Sequence, residues 1–240
     1  RSNLQTMPFR SLVFEQIEKV FPCSEDGADY LKKRYPEFSH KIVTSYLGTK
    51  DYGVAGHNFN KKEYLIVTCS SIVPIKRLYL LAEALHYLEE KTTKQIKWIC
   101  VGDGPLLENL KQYCIANLHS ISVEFLGRLD NKVVMELYRS IQPDLFVNVS
   151  ESEGLPVSIM EAISMGIPCL ATDVGGTHEI IVDGVSGKLI PRDISPECLS
   201  KEIDKMINNI DKISGMRTVW EERFQADNNF NDFAVELLNL

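Results

Sequence analysis

The sequence predicts an α/β protein built on a parallel sheet with helices on both faces. Three observations carry this. Short apolar runs recur at 64–69, 97–101, 121–125, 144–149, 168–172 and 188–190. Longer stretches with helical spacing fill the gaps, at 75–91, 105–117, 132–140 and 155–165. Gly and Pro punctuate the junctions, as in Gly102-Asp103-Gly104-Pro105 and Gly166-Ile167-Pro168. Strands that alternate with helices need crossover connections, and those connections make neighbouring strands parallel.

Taken in order, residues 1–60 do not read as an independent domain. Helical stretches at 10–20 and 25–34 flank Phe21-Pro22-Cys23-Ser24, and Lys41-Ile42-Val43 is a short strand candidate. A loop rich in Gly, Asn and Lys then runs from Gly48 to Lys62. The regular alternation begins at Tyr64 and gives a Rossmann-like domain over residues 61–222. Two or three helices follow Pro196, and a last helix lies at Phe224–Leu238.

Composition narrows the classes. A chain of 240 residues with 44% hydrophobic and 25% charged residues is ordinary for a globular protein with a sizeable core. The formal charge of −7 argues against binding nucleic acid through phosphate neutralisation. The six cysteines have no Cys-x-x-Cys spacing, so they read as thiols in a reducing compartment. No apolar run approaches the ~18 residues of a membrane span, and no signal peptide is recognisable. The first residues are Arg-Ser-Asn, so a fragment or processed chain is expected.

The most informative stretch is Ser150–Gly187, SESEGLPVSIMEAISMGIPCLATDVGGTHEIIVDGVSG. It follows the apolar run 144–149 and reads as loop, helix, Gly166 turn, short strand and Gly175-Gly176 loop. In such a βαβ unit ligands sit at the carboxyl ends of the strands and the amino end of the helix. Pro156 suits the first helical position, where its missing N–H costs nothing. The amides of Gly154, Leu155, Val157 and Ser158 then remain to face an anion, assisted by the helix dipole. Glu153 precedes this helix and Glu161 lies within it. Eight residues give about 80° of helical rotation, so the two carboxylates have different tasks. Singly, each also fits a bland role, at a helix end or on a solvated position.

Four further features are candidates. Lys76 and Arg77 follow Ser70-Ser71 where a strand enters a helix, and adjacent cations there suit a diphosphate or a solvated helix face. Gly102-Asp103-Gly104-Pro105 lacks the third Gly and the downstream acid of a dinucleotide fingerprint, so it reads as a tight turn. Gly127-Arg128-Leu129 ends a strand, with Arg128 stacking or solvated. His178 follows two glycines and reads as structural or solvent-facing.

The string E-G-L-P-V-S-I-M-E-A, then G-I-P, D-V-G-G-T-H-E-I-I and D-G-V-S-G, resembles the signature of family 4 (group 1) retaining glycosyltransferases. The mark of that family is a Glu, seven residues and a second Glu, matched by Glu153 and Glu161. The resemblance implies the carboxy-terminal, nucleotide-sugar-binding half of a GT-B fold. Residues 1–60 would be the tail of an amino-terminal acceptor domain with its linker, and 223–240 the helix that crosses back onto it. It further implies that Lys76 grips the donor's diphosphate, that Glu153 faces the donor sugar and that Glu161 binds the ribose. Ser71 stands where the family usually has an Arg, which leaves Arg77 as the neighbouring substitute. Main-chain groups of Gly127, Arg128 and Leu129 would border the base. Gly154, Leu155 and Val157 would present amides to the phosphates.

What the resemblance implies in function is retaining transfer of a hexose from a UDP- or GDP-sugar to a glycan or lipid-linked acceptor, in bacterial surface polysaccharide synthesis. The nucleotide sugar is then a substrate, with no cofactor and no metal expected, since no Asp-x-Asp is present. The location implied is the cytoplasm or the inner face of the cell membrane, any peripheral membrane contact being made through the missing domain. A non-catalytic donor-binding subunit that needs a partner acceptor domain is the alternative. A nicotinamide-dependent dehydrogenase needs the full Gly fingerprint after the first strand, where Ser70-Ser71 stands. A nucleotide-sugar epimerase needs active-site groups not found here.

Overall fold

A computed structural model of the protein describes residues 10–56 and 63–239. Two helices, α1 (Arg10–Gln16) and α2 (Glu25–Arg34), come first. The alternating body follows: β1 (Glu63–Cys69), α3 (Leu78–Glu89), β2 (Gln95–Val101), α4 (Leu107–Asn117), β3 (Ser122–Gly127), α5 (Asn131–Ile141) and β4 (Leu145–Asn148). It continues with α6 (Val157–Ser164), β5 (Cys169–Thr172), α7 (Thr177–Ile180), β6 (Gly187–Ile190) and α8 (Pro196–Asn208). The chain ends on α9 (Met216–Arg223) and α10 (Ala226–Leu238).

The strands form one sheet in the order β3-β2-β1-β4-β5-β6, with every pairing parallel. The α/β, Rossmann-like expectation therefore holds. The chain builds outward from β1 to β3, then returns to the other side of β1 to lay down β4. Connections above β1 and β4 thus run to opposite faces and leave a crevice at their carboxyl ends.

Alternation along each strand divides the core in two. Ile66, Trp98, Cys100, Leu145, Val147 and Leu170 meet α3, α4 and α8 on one face. Val67, Ile99, Phe146, Cys169 and Ala171 meet α5, α6 and α9 on the other. Both buried indoles have partners: Trp98 Nε1 donates to Thr68 Oγ1 at 3.0 Å and Trp220 Nε1 to Thr49 Oγ1 at 2.7 Å.

The amino-terminal segment has a small core of its own. Phe14, Ala28 and Ile42 pack with Val20, Leu31, Tyr35 and Phe38. The strand expected at 41–43 is reduced to an isolated bridge between Val20 and Ile42. Pro36 starts a 3-10 helix that runs to Lys41, and this turn consumes the residues a strand would need. Part of the expected loop, 57–62, lies outside the described residues. Helix α10 crosses this segment, with Phe233 edge-on to Phe21 (centroids 5.1 Å apart) and Glu236 2.9 Å from Lys19 Nζ.

Two local differences touch the crevice. Residues 74–76 form a 3-10 turn, and Arg77 takes a left-handed conformation (φ 48°) before α3 starts. Pro156 is the residue flanking α6, one position earlier than expected, because its ψ of 100° is extended. Two glycines let the crevice loops approach. A Cβ at Gly102 (φ 136°) would lie 1.9 Å from the Ser70 carbonyl oxygen, and one at Gly175 (φ 51°) 1.9 Å from that of Glu153.

Gly175→Ala is therefore expected to destabilise the chain by about 2–4 kcal/mol in urea titrations. Gly154→Ala, where a Cβ meets nothing within 4 Å, is expected to stay within about 0.5 kcal/mol.

Candidate functional site

The crevice is built from the loops that leave β1 and β4. Cys69 ends β1, and the chain turns through Ser70 and Ser71 to place Lys76 at the base of α3. Asn148 ends β4, and the loop 149–156 climbs to α6. These loops are tied together by Glu151 N donating to Ile75 O at 2.8 Å. Sequence distance and spatial distance part company here. Lys76 and Glu153 are 77 residues apart, yet Lys76 Nζ is 2.6 Å from Glu153 Oε1.

Glu153 is held by more than the lysine. Asn148 Nδ2 donates to the same oxygen at 3.1 Å, and Asn148 Oδ1 accepts from Ser150 N at 3.0 Å. Thr172 Oγ1 at the end of β5 fixes the Ser150 carbonyl at 2.6 Å. Burial opposes ionisation of Glu153, but hydrogen bonds from Lys76, Ser150 and Asn148 outweigh it and hold the carboxyl below its usual range. Asn148 escaped sequence reading. The one signal was a polar residue closing an otherwise apolar strand.

Glu161 has the opposite environment. It lies half-buried on the second turn of α6 and lines a cavity of about 300 Å³ with Lys50, Tyr52, Asn131, Val157 and Phe230. Burial raises its pKa, and the hydrogen bond from Asn131 Nδ2 only partly offsets this. The two glutamates therefore differ in environment as well as in direction.

A larger cavity of about 590 Å³ opens over the ends of β1, β2 and β3. Ser71, Asp103, Arg128 and Leu129 line it. Gly127 closes β3 with φ 67° and accepts from Gly102 N at 2.7 Å, so both expected turns form one wall. Arg128 is exposed and Leu129 half-buried.

Arg77, expected as the stand-in for a second phosphate cation, is placed differently. The Arg77 guanidinium turns to backbone: Nε donates to Val149 O at 2.7 Å, Nη1 to Arg192 O at 2.6 Å and Nη2 to Ser150 O at 3.3 Å. Its left-handed backbone aims it beneath the 149–150 loop, where it acts as a brace. Leu155 is buried in the core, so only its main chain is available, whereas Val157 is exposed and Gly154 O accepts from Gly176 N at 2.7 Å. His178 is exposed, 3.4 Å from Asp173.

Its neighbour Glu179 is the structural residue that sequence reading missed. Buried, it accepts from Glu25 N at 2.7 Å and Asp26 N at 3.0 Å at the amino end of α2, and from Tyr46 Oη at 2.8 Å. A carboxylate suits that helix end because unpaired N–H groups and the helix dipole converge there. Burial and Glu179 together push the Tyr46 phenol up to about 12. Glu179 thus joins the Gly175-Gly176 loop to the amino-terminal segment.

Among the described residues no group of three or more His, Cys, Asp or Glu is placed to hold a metal. No helix among them is long and apolar enough to cross a membrane.

Comparison with known proteins follows the same outline. The model of the family "Glycosyl transferases group 1" matches residues 54–223. N-acetyl-alpha-D-glucosaminyl L-malate synthase of Bacillus anthracis is 33% identical over 190 residues, 79% of this chain and 46% of that protein. The O-antigen biosynthesis glycosyltransferase WbnH of Escherichia coli is 34% identical over 126 residues, 52% of this chain and 33% of its own length. The chain thus spans about half the length of the first of these relatives, or less. Among solved structures, Anabaena Alr3699/HepE in complex with UDP superposes with a TM-score of 0.77 at 20% identity, covering 96% of this chain and 66% of that one. A glycosyltransferase from Rickettsia africae ESF-5 gives 0.78 at 19% identity, covering 92% and 62%. These likenesses establish a shared fold, and the family match over 54–223 settles the larger question: the chain belongs to the group 1 glycosyltransferases.

Proposed function

We propose that this chain is the donor-binding part of a retaining glycosyltransferase of GT-B architecture, belonging to family 4. It would transfer a hexose from a UDP- or GDP-sugar to a glycan or lipid-linked acceptor in bacterial surface polysaccharide synthesis. The carrying observation is the Lys76–Glu153 pair, set where the strand order reverses and at the head of α6. Relatives named for O-antigen synthesis support the pathway class. An amino-terminal acceptor domain, with residues 1–60 as its tail and linker and peripheral contact at the inner face of the membrane made through it, belongs to the same proposal.

The chemistry follows from charge. Cleaving the sugar–phosphate bond leaves negative charge on the diphosphate. Lys76 and the amides of Gly154, Leu155 and Val157 stabilise that charge as it grows. Lys76 has three protons and gives only one to Glu153, so it can serve a phosphate oxygen without releasing the carboxylate. Glu153, kept ionised, orients the donor sugar and favours cationic character at its anomeric carbon. Glu161 accepts from the ribose hydroxyls, and the wall at Gly127, Arg128 and Leu129 borders the base. The cations are fixed in the protein, so the reading needs no metal and no cofactor.

A second reading has one specific observation in its favour. Ser71 replaces the Arg usual in the family, and Arg77 is committed to carbonyls, so Lys76 lacks the second cation of the family's clamp. A weaker clamp suits a non-catalytic donor-binding subunit paired with a separate acceptor domain.

Calorimetric titration with UDP and GDP tests the donor site. Lys76→Ala is expected to weaken the nucleotide that binds by about 10- to 150-fold, the worth of a charge-assisted hydrogen bond of roughly 1.5–3 kcal/mol. Unchanged affinity would contradict the assignment. Glu161 gives a second test. Its folded pKa lies above the unfolded value, so folding is penalised once pH exceeds the unfolded carboxylate range of about 4.3. Glu161→Gln, which still accepts from Asn131, is expected to raise Tm at pH 7. The gain should fade toward about pH 4. An equal Tm difference at both pH values would refute this.

A further inference from the structure

We propose that Asn131 is the positioning residue that sets Glu161 for a ribose diol, so that it controls how strongly the site prefers ribonucleotides over deoxyribonucleotides. The inference rests on the reading of Glu161 as the ribose-binding carboxylate, and it goes beyond that reading by assigning what orients it.

The geometry is as follows. Asn131 is the first residue of α5 and Glu161 lies on α6, so the pair bridges two helices 30 residues apart in sequence. Asn131 Nδ2 donates to Glu161 Oε1. An ionised carboxylate only accepts hydrogen bonds, which fixes the amide with its NH2 toward Glu161 and its oxygen outward. Tyr52 Oη lies 3.5 Å from that outward oxygen, on the far side of the amide. Among the described residues Glu161 Oε2 has no hydrogen-bond partner, and the residue lines the same 300 Å³ cavity as Asn131 and Tyr52. One carboxylate oxygen is thus engaged within the protein, while the other has no partner among the described residues.

A glutamate on a helix has three rotatable side-chain bonds, and its last torsion is broad. A single fixed hydrogen bond to Oε1 removes most of that freedom before a ligand arrives. A vicinal diol presents two hydroxyl donors at fixed separation. Its recognition therefore depends on the carboxylate plane more than recognition of a lone hydroxyl does. Asn131 is exposed at a helix start, away from the core, so its replacement leaves folding intact.

The test uses the whole 240-residue chain, titrated with UDP and GDP and with their 2′-deoxy counterparts. In the parent chain the ribonucleotide should bind several-fold more tightly than its deoxy form. Asn131→Ala should weaken the ribonucleotide by about tenfold and the deoxy form by less than twofold, and adding Glu161→Gln should cost little more. Asn131→Asp, which places a second carboxylate beside Glu161, should weaken the ribonucleotide at least as much. Equal loss for both nucleotides, or none, in Asn131→Ala would overturn the role of Asn131 while leaving Glu161 as the ribose ligand. A parent chain that fails to distinguish ribose from deoxyribose would overturn the ribose reading itself, and the inference with it.

Discussion

The ion pair between Lys76 and Glu153 sets the charge balance of the whole crevice. Each group is mostly withdrawn from water, with 24% and 11% of its side chain exposed, so neither is cheap to leave alone. Together they form a compact, nearly neutral unit, and the proposed reading brings the donor's phosphates to its lysine side. The pair also explains why β1 and β4 must be neighbours. Only the reversal of strand order brings a residue from the first crossover within 2.6 Å of one from the fourth.

Everything around the pair serves to hold its two loops still. Asn148 and Ser150 satisfy the carboxylate from below, while Arg77 fastens the carbonyls of Val149, Ser150 and Arg192. Gly175 lets a third loop lie against the Glu153 main chain, and the same loop carries Glu179 to the amino end of α2. A continuous set of contacts therefore runs from the Lys76–Glu153 pair to the amino-terminal segment. Arg223 reaches Tyr46 at 3.3 Å and extends it toward the last helix.

Much of this was legible in the sequence because its physics is local. Alternating apolar runs with Gly and Pro at the joints suffice for a parallel sheet, and the ordered motif around Glu153 and Glu161 suffices for the family. What stayed hidden depends on long-range approach. Nothing near Arg77 marks it as a brace, since its partners lie more than 70 residues away. Glu179 looks like any acid beside an apolar pair until α2 arrives above it. The failed strand at 41–43 is similar. Its residues favour extended backbone, but Pro36 begins a turn and, among the described residues, only Val20 pairs with it. Asn131 and Asn148 are small polar residues at element ends, a place where capping is the ordinary expectation.

One structure determination bears on the central claim more directly than any substitution. The chain would be crystallised, or mapped by NMR, with an unreactive UDP-sugar analogue. The account predicts the diphosphate within hydrogen-bond distance of Lys76 Nζ and the α6 head amides, with Glu153 facing the sugar and Glu161 the ribose. A nucleotide found elsewhere on the sheet, with the Lys76–Glu153 pair undisturbed, would contradict it.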